Sequence, residues 1–285
     1  MRLQHFADFS AIFQERSIKP LWERYPLRES DTWDSLGLFL EGYAFERQGR
    51  RPDYGPAAAD AVVQAKSKGE RLETTDVPQA LWDCFKHYLG NSGLNKANNP
   101  LCPKETSYSR KNRLTHTNKQ SAVEFLRSIS DDGIPPNIVL LAKAELERDR
   151  LKAVHEKIKE INGIGPKIAS LFLRDVSTFY NIFPSKDRQL LQPIDVWVRR
   201  IVKELGGPAN DQDIGTWIVR ESANASVNPE TVNQGMWYFA TQIAGSYHRL
   251  KASIHDLSRA EELFEQHKRA LNGGAQAAGI IRIQP

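Results

Sequence analysis

The chain has 285 residues, of which 40% are hydrophobic and 26% charged, with a formal net charge of +4. This composition is typical of a globular protein with one large domain or two lobes, and it excludes a disordered chain. The N-terminus lacks the pattern of a signal peptide and no run of 18 apolar residues occurs, so we expect a cytoplasmic protein without a membrane partner.

The cysteine and histidine content argues against a metal centre. Cys84 and Cys102 are too few for a zinc site built on cysteines or for an iron–sulfur cluster held by four thiolates. The seven histidines show no HExxH spacing. We therefore predict no catalytic metal and two buried or unreactive thiols.

Apolar residues recur with helical spacing along almost the whole chain, which predicts an all-α fold of about ten helices. The first predicted helix follows a capping Asp31 and places Leu36, Phe39, Leu40 and Tyr43 on one face. The next helices are predicted within residues 54–69, 76–90, 117–133, 135–150, 151–161, 166–176, 193–207, 211–223, 229–247 and 256–274.

Three segments between these helices look irregular. Residues 68–78 and 175–193 resemble linkers, and residues 90–119 form a polar stretch with six Lys or Arg against one Glu. A polar, basic loop of this length is usually functional or disordered.

The segment 160–176, EINGIGPKIASLFLRDV, interrupts the helical pattern with Gly163, Gly165 and Pro166. It lacks the GxxxxGK[ST] motif and no strand precedes it, which excludes a nucleotide-binding P-loop. A helix, a short hairpin and a second helix fit better, with Gly163, Ile164 and Gly165 bringing backbone close to a DNA phosphate. The alternative is a tight glycine turn between two packed helices.

Two charged residues near this hairpin are candidates for catalysis. Lys167 lies in the first turn of a helix, where it opposes the macrodipole; this setting and partial burial would favour the neutral amine that a Schiff-base nucleophile needs. A solvated lysine that contacts phosphate is the alternative. Asp195 is predicted to cap the next amphipathic helix, as a structural residue or as a positioned anion.

The segments INGIGPKIA (161–169) and PIDVWVRRI (193–201) together resemble the helix-hairpin-helix (HhH-GPD) superfamily of DNA glycosylases, which includes endonuclease III and the oxoguanine glycosylases. Residues 81–101 and 233–245 are similar to an early barrel helix with its DNA-reaching loop and to a late helix of the same family. The resemblance covers roughly residues 80 to 245.

The resemblance implies two helical lobes with the active site in the cleft between them. One lobe would be a helical barrel over residues 78–177, with the helix-hairpin-helix at 151–177. The N-terminal segment 1–77 and the C-terminal segment 178–285, which carries Asp195, would form the other.

The same resemblance implies the reaction and its partners. Lys167 would attack C1′ of an extruded nucleotide, Asp195 would activate the lysine and stabilise the cationic sugar, and β-elimination would nick the strand. No cofactor would be required, but the carbonyls of Ile161 and Ile164 would bind Na⁺ or K⁺. The partner would be double-stranded DNA with a damaged or modified base, and we expect a monomer associated with the nucleoid.

The base pocket is predicted less specifically. Aromatic rings stack on extruded bases, so tryptophans are candidates for the pocket. Trp82, Trp197 and Trp237 also have the spacing of core residues. The interval between Lys167 and Asp195 is longer than in common family members and predicts an insertion at 179–192. The pocket or stack-filling candidates are Trp197, Trp82, Trp237, Asn91, Ser92, Asn95 and Lys96.

Three functions remain open at this point. The first is a bifunctional DNA glycosylase and AP lyase of base excision repair that removes an oxidised purine. The second applies the same chemistry to a bulky modified base of foreign, phage DNA. The third, from another class, is a helix-hairpin-helix module that binds DNA without catalysis.

Overall fold

The protein is all-α. The computed structural model describes residues 1–45, 53–72, 74–89, 99–103, 119–130 and 136–274. Within these ranges the β-structure consists of one isolated parallel bridge between Gln120 and Ile161. The predicted fold class is therefore confirmed.

Contacts divide the chain into two compact units. Met1–Ile18 and Leu191–Pro285 form one, which we call the terminal unit, and Lys19–Leu190 forms the other, the central unit. The family resemblance instead implies that all of residues 1–77 belong to the lobe formed by the chain ends. The difference arises because the helices Thr32–Phe39 and Tyr54–Ser67 pack on helices of the central unit.

The terminal unit is organised around the packing of helix α1 (Leu3–Phe13) on helix α12 (Pro229–Tyr238). The two helices approach so closely that a Cβ atom added to Gly235 would lie 1.6 Å from the carbonyl oxygen of Phe6. Beside this contact the rings of Phe9 and Phe239 stack at 4.9 Å between centroids. The helices of this unit are α1 Leu3–Phe13, α10 Val196–Glu204, α11 Asp211–Asn224, α12 Pro229–Tyr238, α13 Tyr247–His255 and α14 Leu257–Gly274, with π-helical turns at Gln14–Ile18 and Phe239–Ala244.

The central unit contains the predicted amphipathic helix after Asp31, whose side chain accepts a hydrogen bond from the Asp34 amide at 2.9 Å. The face formed by Leu36, Phe39, Leu40 and Tyr43 is buried, as predicted. The α-helices of this unit are α2 Lys19–Glu23, α3 Thr32–Phe39, α4 Tyr54–Ser67, α5 Val77–Tyr88, α6 Ala122–Ser130, α7 Ile138–Glu147, α8 Leu151–Ile158 and α9 Pro166–Tyr180; Leu40–Ala44 is π-helical and Arg188–Leu191 is a 3₁₀ turn.

A buried ion pair lies on α9 in the central unit. Nε and Nη2 of Arg174 each donate to Oδ1 of Asp175 at 2.8 Å, and both side chains are at most 2% exposed. Burial, followed by the charge of Asp175, raises the pKa of the Tyr43 hydroxyl well above its usual range. Removal of either partner would leave an uncompensated charge in the core, which is strongly destabilising.

We expect Gly235→Ala to destabilise the protein by about 3 kcal/mol, since the added methyl group would collide with backbone that cannot rotate away. Urea unfolding followed by circular dichroism measures this change. Gly165→Ala is the matched control, because a Cβ atom there meets no atom within 4 Å in the part of the chain that the structure describes. Equal stability of the two variants would contradict the close packing of α1 on α12.

Candidate functional site

The segment singled out in the sequence forms two helices joined by a buried turn. Helix α8 ends at Ile158 and α9 begins at Pro166, which occupies the first helical position as predicted. Ile161 and Ile164 in the turn are fully buried, and Gly163 has a φ of +79°. A residue with a side chain is strained at this φ, so the turn requires glycine at position 163.

The turn is held by a segment distant in sequence. The amide of Gln120 donates to the Glu160 carbonyl at 3.0 Å, and the amide of Asn162 donates back to the Gln120 carbonyl at 2.7 Å. The side-chain amide of Asn162 also donates to the Asn99 carbonyl at 3.1 Å. Nζ of Lys119 donates to the carbonyl of Ile164 at 2.8 Å. These bonds satisfy buried backbone groups that the turn itself leaves unpaired.

His155 and Ser170 lie between the two helices of the hairpin. Nε2 of His155 is 3.2 Å from Oγ of Ser170, and both residues are buried. Burial, followed by the positive charge of Lys159, lowers the pKa of His155. The neutral ring therefore joins α8 to α9 at neutral pH, and protonation below that range would work against folding.

Lys167 is the second residue of α9 and is exposed. Its ammonium group makes no hydrogen bond or ion pair with the residues that the structure describes. The partial burial expected from the sequence is thus wrong for the DNA-free protein. The reason is that Ile168 and Ala169 occupy the buried face of this turn, while Pro166 and Lys167 face solvent.

The reason for glycine at position 165 differs from the reason at position 163. Its backbone is extended, with φ −108° and ψ 179°, and it stands at the N-cap position without a side-chain cap. A Cβ atom there would meet no atom of the described residues within 4 Å. Neither backbone strain nor internal packing requires glycine at position 165, and the space beside it is open.

Asp195 caps α10, as predicted. Its Oδ1 accepts hydrogen bonds from the amides of Trp197 and Val198, both at 2.9 Å. Within the described ranges Oδ2 accepts no hydrogen bond. The segment before Asp195 is held by the side-chain amide of Asn233 on α12, which donates to the Pro193 carbonyl at 3.3 Å. Sequence reasoning missed Asn233, which lies 40 residues from Pro193.

Trp197 lies beside the cap and is half-buried. The guanidinium carbon of Arg200 is 5.0 Å from the centre of its ring and 4.8 Å from that of Tyr247. The Tyr247 hydroxyl in turn donates to Glu204 at 2.6 Å. This chain of contacts, which we call the Trp197 platform, restrains an aromatic ring two residues after Asp195.

The other predicted pocket residues have different surroundings. Trp82 is 1% exposed and packs on Phe85 in the core, so its assignment to a base pocket is wrong. Its apolar position on α5 faces inward, which explains the error. Trp237 is half-buried and contacts Phe13 at 5.4 Å between ring centres. Asn91, Ser92, Asn95 and Lys96, with most of the basic stretch 90–119, lie outside the described residues.

The predicted insertion 179–192 starts later than expected, because α9 continues to Tyr180. Asp149 holds its tip: the carboxylate accepts hydrogen bonds from the amide of Ser185 at 2.7 Å and from its hydroxyl at 2.5 Å. Phe183 is 43% exposed and lies 5.8 Å from the guanidinium of Arg188. The insertion is therefore an ordered loop with an aromatic and a basic side chain at its surface.

Asp187 is the nearest carboxylate upstream of Asp195 in the sequence and has a different structural setting. It has a φ of +58° and its carbonyl accepts a hydrogen bond from the Leu190 amide at 2.8 Å. Asp187 thus starts the 3₁₀ turn Arg188–Leu191 and does not cap a long helix.

No group of three or more His, Cys, Asp or Glu side chains that could hold a metal occurs within the described ranges. In the same ranges no helix is long and apolar enough to cross a membrane. Cys84 is half-buried and Cys102 is buried. Burial raises the pKa of the Cys84 thiol, which disfavours the reactive thiolate.

The structure assigns the candidate residues to two units. The hairpin, Lys167 and the insertion up to Leu190 belong to the central unit, and Asp195, the Trp197 platform and Trp237 belong to the terminal unit. The contacts described above therefore hold each group of residues in place within its own unit.

The chain is similar in sequence to an archaeal protein. An uncharacterised protein of Methanocaldococcus jannaschii, MJECL21, is 25% identical over 212 residues, which cover 70% of this chain and 48% of that protein. The chain thus spans about half the length of this relative. No protein-family model and no solved structure matches.

Proposed function

We propose that the protein is a bifunctional DNA glycosylase and AP lyase that removes a damaged base, with an oxidised purine as the expected substrate. The observation that carries the proposal is the setting of Lys167. Its amino group is exposed and unpaired within the described residues, directly after a buried glycine turn and at the start of a helix. Stability alone does not favour a cation at that helix end.

The hairpin supports a role in gripping DNA. The start of α9 lacks a side-chain cap, so backbone N–H groups there are suited to a phosphate oxygen. The open space beside Gly165 allows a phosphate to approach the backbone closely. Such contacts hold DNA without reading its sequence, as an enzyme that searches for rare lesions requires.

Lys167 would then act as the nucleophile. Its neutral amine forms a bond to C1′ while the glycosidic bond breaks, and the base leaves with the bonding electrons and takes up a proton. Proton loss from Nζ and opening of the sugar ring give an imine. Removal of a C2′ proton then expels the 3′ phosphate. Extrusion of the nucleotide is needed because C1′ is inaccessible inside the base stack.

Asp195 would assist this reaction as a fixed anion. Two helix amides hold Oδ1 and keep the carboxylate in one orientation. Oδ2 is left to face a positive charge that develops on the sugar, and a charge held in advance stabilises a transition state without reorganisation. The Trp197 platform supplies a restrained ring for stacking on the extruded base.

This activity belongs to base excision repair, with double-stranded DNA as the partner and the nucleoid as the place of action. The ordered insertion loop, with Phe183 and Arg188 at its surface, also suits a role next to a larger base. Excision of a bulky modified base from foreign DNA is therefore the second candidate, and a panel of substrates separates the two.

Reduction of the imine tests the nucleophile directly. With borohydride and duplexes that carry an abasic site, oxidised purines, oxidised pyrimidines or hypermodified bases, we expect a covalent complex with at least one duplex. Lys167→Gln should abolish it. Lys152→Gln, which removes an exposed lysine from α8, is the matched control and should leave trapping unchanged. DNA binding with no covalent complex on any duplex would instead identify a non-catalytic binding module.

Asp195→Asn tests the anion without loss of the cap, because asparagine caps helices as well as aspartate does. We expect single-turnover base release to slow by about 100-fold or more while DNA affinity and unfolding midpoint stay unchanged. Asp31→Asn makes the same substitution at the cap of α3 and should leave base release unaffected. Unchanged base release in Asp195→Asn would move the role to another carboxylate, with Asp187 tested next.

Gly165→Ala tests the close approach of phosphate. The variant should keep its stability, since the methyl group points into open space. We expect its affinity for undamaged duplex DNA, measured by fluorescence anisotropy, to fall about tenfold because the methyl group blocks the backbone. Unchanged affinity would show that the start of α9 does not contact DNA. Ala153→Ser on exposed α8 surface serves as the control for a small local change.

A further inference from the structure

The side-chain ammonium of Lys119 contacts the turn between α8 and α9. Nζ of Lys119 donates to the carbonyl oxygen of Ile164 at 2.8 Å, from a residue 45 positions away in the sequence. The next residue, Gln120, is bridged to the turn at Ile161, so the backbone at this point is fixed. The ammonium is thus delivered to the turn by an anchored segment.

The two carbonyls that the family resemblance assigns to a monovalent cation are both used within the protein. The Ile161 carbonyl accepts the amide of Ile164 at 3.0 Å, and the Ile164 carbonyl accepts Lys119. A metal ion bound to the Ile164 oxygen would face the lysine ammonium across a single atom. Repulsion between two positive charges at such separation opposes binding of both. The donor set therefore does not fit Na⁺ or K⁺.

We propose that Lys119 takes the place of the monovalent cation and makes the hairpin independent of Na⁺ and K⁺. The ammonium satisfies the carbonyl oxygen of Ile164 at the end of the buried turn and adds positive charge next to Gly165. Its effect on DNA rests on the proposed function, whereas its effect on the turn does not. Lys119 is a positioning residue here, because it acts through the backbone of the turn.

The stability of the turn gives a test that needs no DNA. Melting temperature is measured in KCl, NaCl and tetramethylammonium chloride at equal concentration. We expect the same value for the wild type in all three salts. Lys119→Met keeps the apolar stem without the charge; we expect its melting temperature to fall by about 3 °C or more in tetramethylammonium chloride and to recover partly in KCl or NaCl. Lys119→Arg should resemble the wild type.

DNA affinity gives the second measurement. In tetramethylammonium chloride, Lys119→Met should bind undamaged duplex about fivefold more weakly than the wild type, with partial recovery in KCl. Lys152→Met, which removes an exposed lysine from α8, should show no dependence on the identity of the salt. This control separates the local effect of Lys119 from loss of overall positive charge.

Two results would overturn the inference. One is a wild-type melting temperature that rises with K⁺ or Na⁺ relative to tetramethylammonium, which would show that a metal binds despite Lys119. The other is a Lys119→Met variant equal to the wild type in every salt. Both are read from the protein alone. The wild-type comparison remains decisive even if Lys119→Met does not fold. Failure of the wild type to bind any DNA would contradict only the proposed function.

Discussion

The buried turn between α8 and α9 imposes the main constraint on the central unit. Ile161 and Ile164 are fully buried, so the backbone groups around them cannot be left to solvent and need partners inside the protein. Gln120 and Lys119 supply those partners from a distant segment. The exposed position of Lys167 follows, because an anchored turn fixes where α9 begins and which face of its first turn points outward.

Local signals in the sequence were sufficient for features that depend on neighbouring residues. Asp31 and Asp195 were recognised as caps because a cap and its amides lie within three residues. Helices α1 and α13 were missed, although Phe6, Phe9 and Phe13 in α1 have helical spacing and Ser246 caps α13. The apolar spacing in α1 and the Ser246 cap of α13 are present in the sequence, but each extends over only a few residues.

Contacts between distant residues could not be predicted in the same way. The hydrogen bonds from Asn233 to Pro193, from Ser185 to Asp149 and from Lys119 to Ile164 join residues 36 to 45 positions apart. No periodicity encodes such pairs, since they depend on how helices pack. The burial of Trp82 belongs to the same class, because an aromatic residue on an amphipathic helix fits a core and a pocket equally well before packing is known.

The glycines illustrate how structure separates stability from function. Gly235 is required by the carbonyl of Phe6 and Gly163 by its positive φ, so folding accounts for both. Gly165 has neither requirement, and its exposed neighbour Lys167 stands at a helix end that disfavours a cation. These two positions, separated by Pro166, are not explained by folding and are where a ligand is expected to contribute the missing interactions. An anion at the start of α9 would satisfy both, because it binds the helix amides and attracts the lysine.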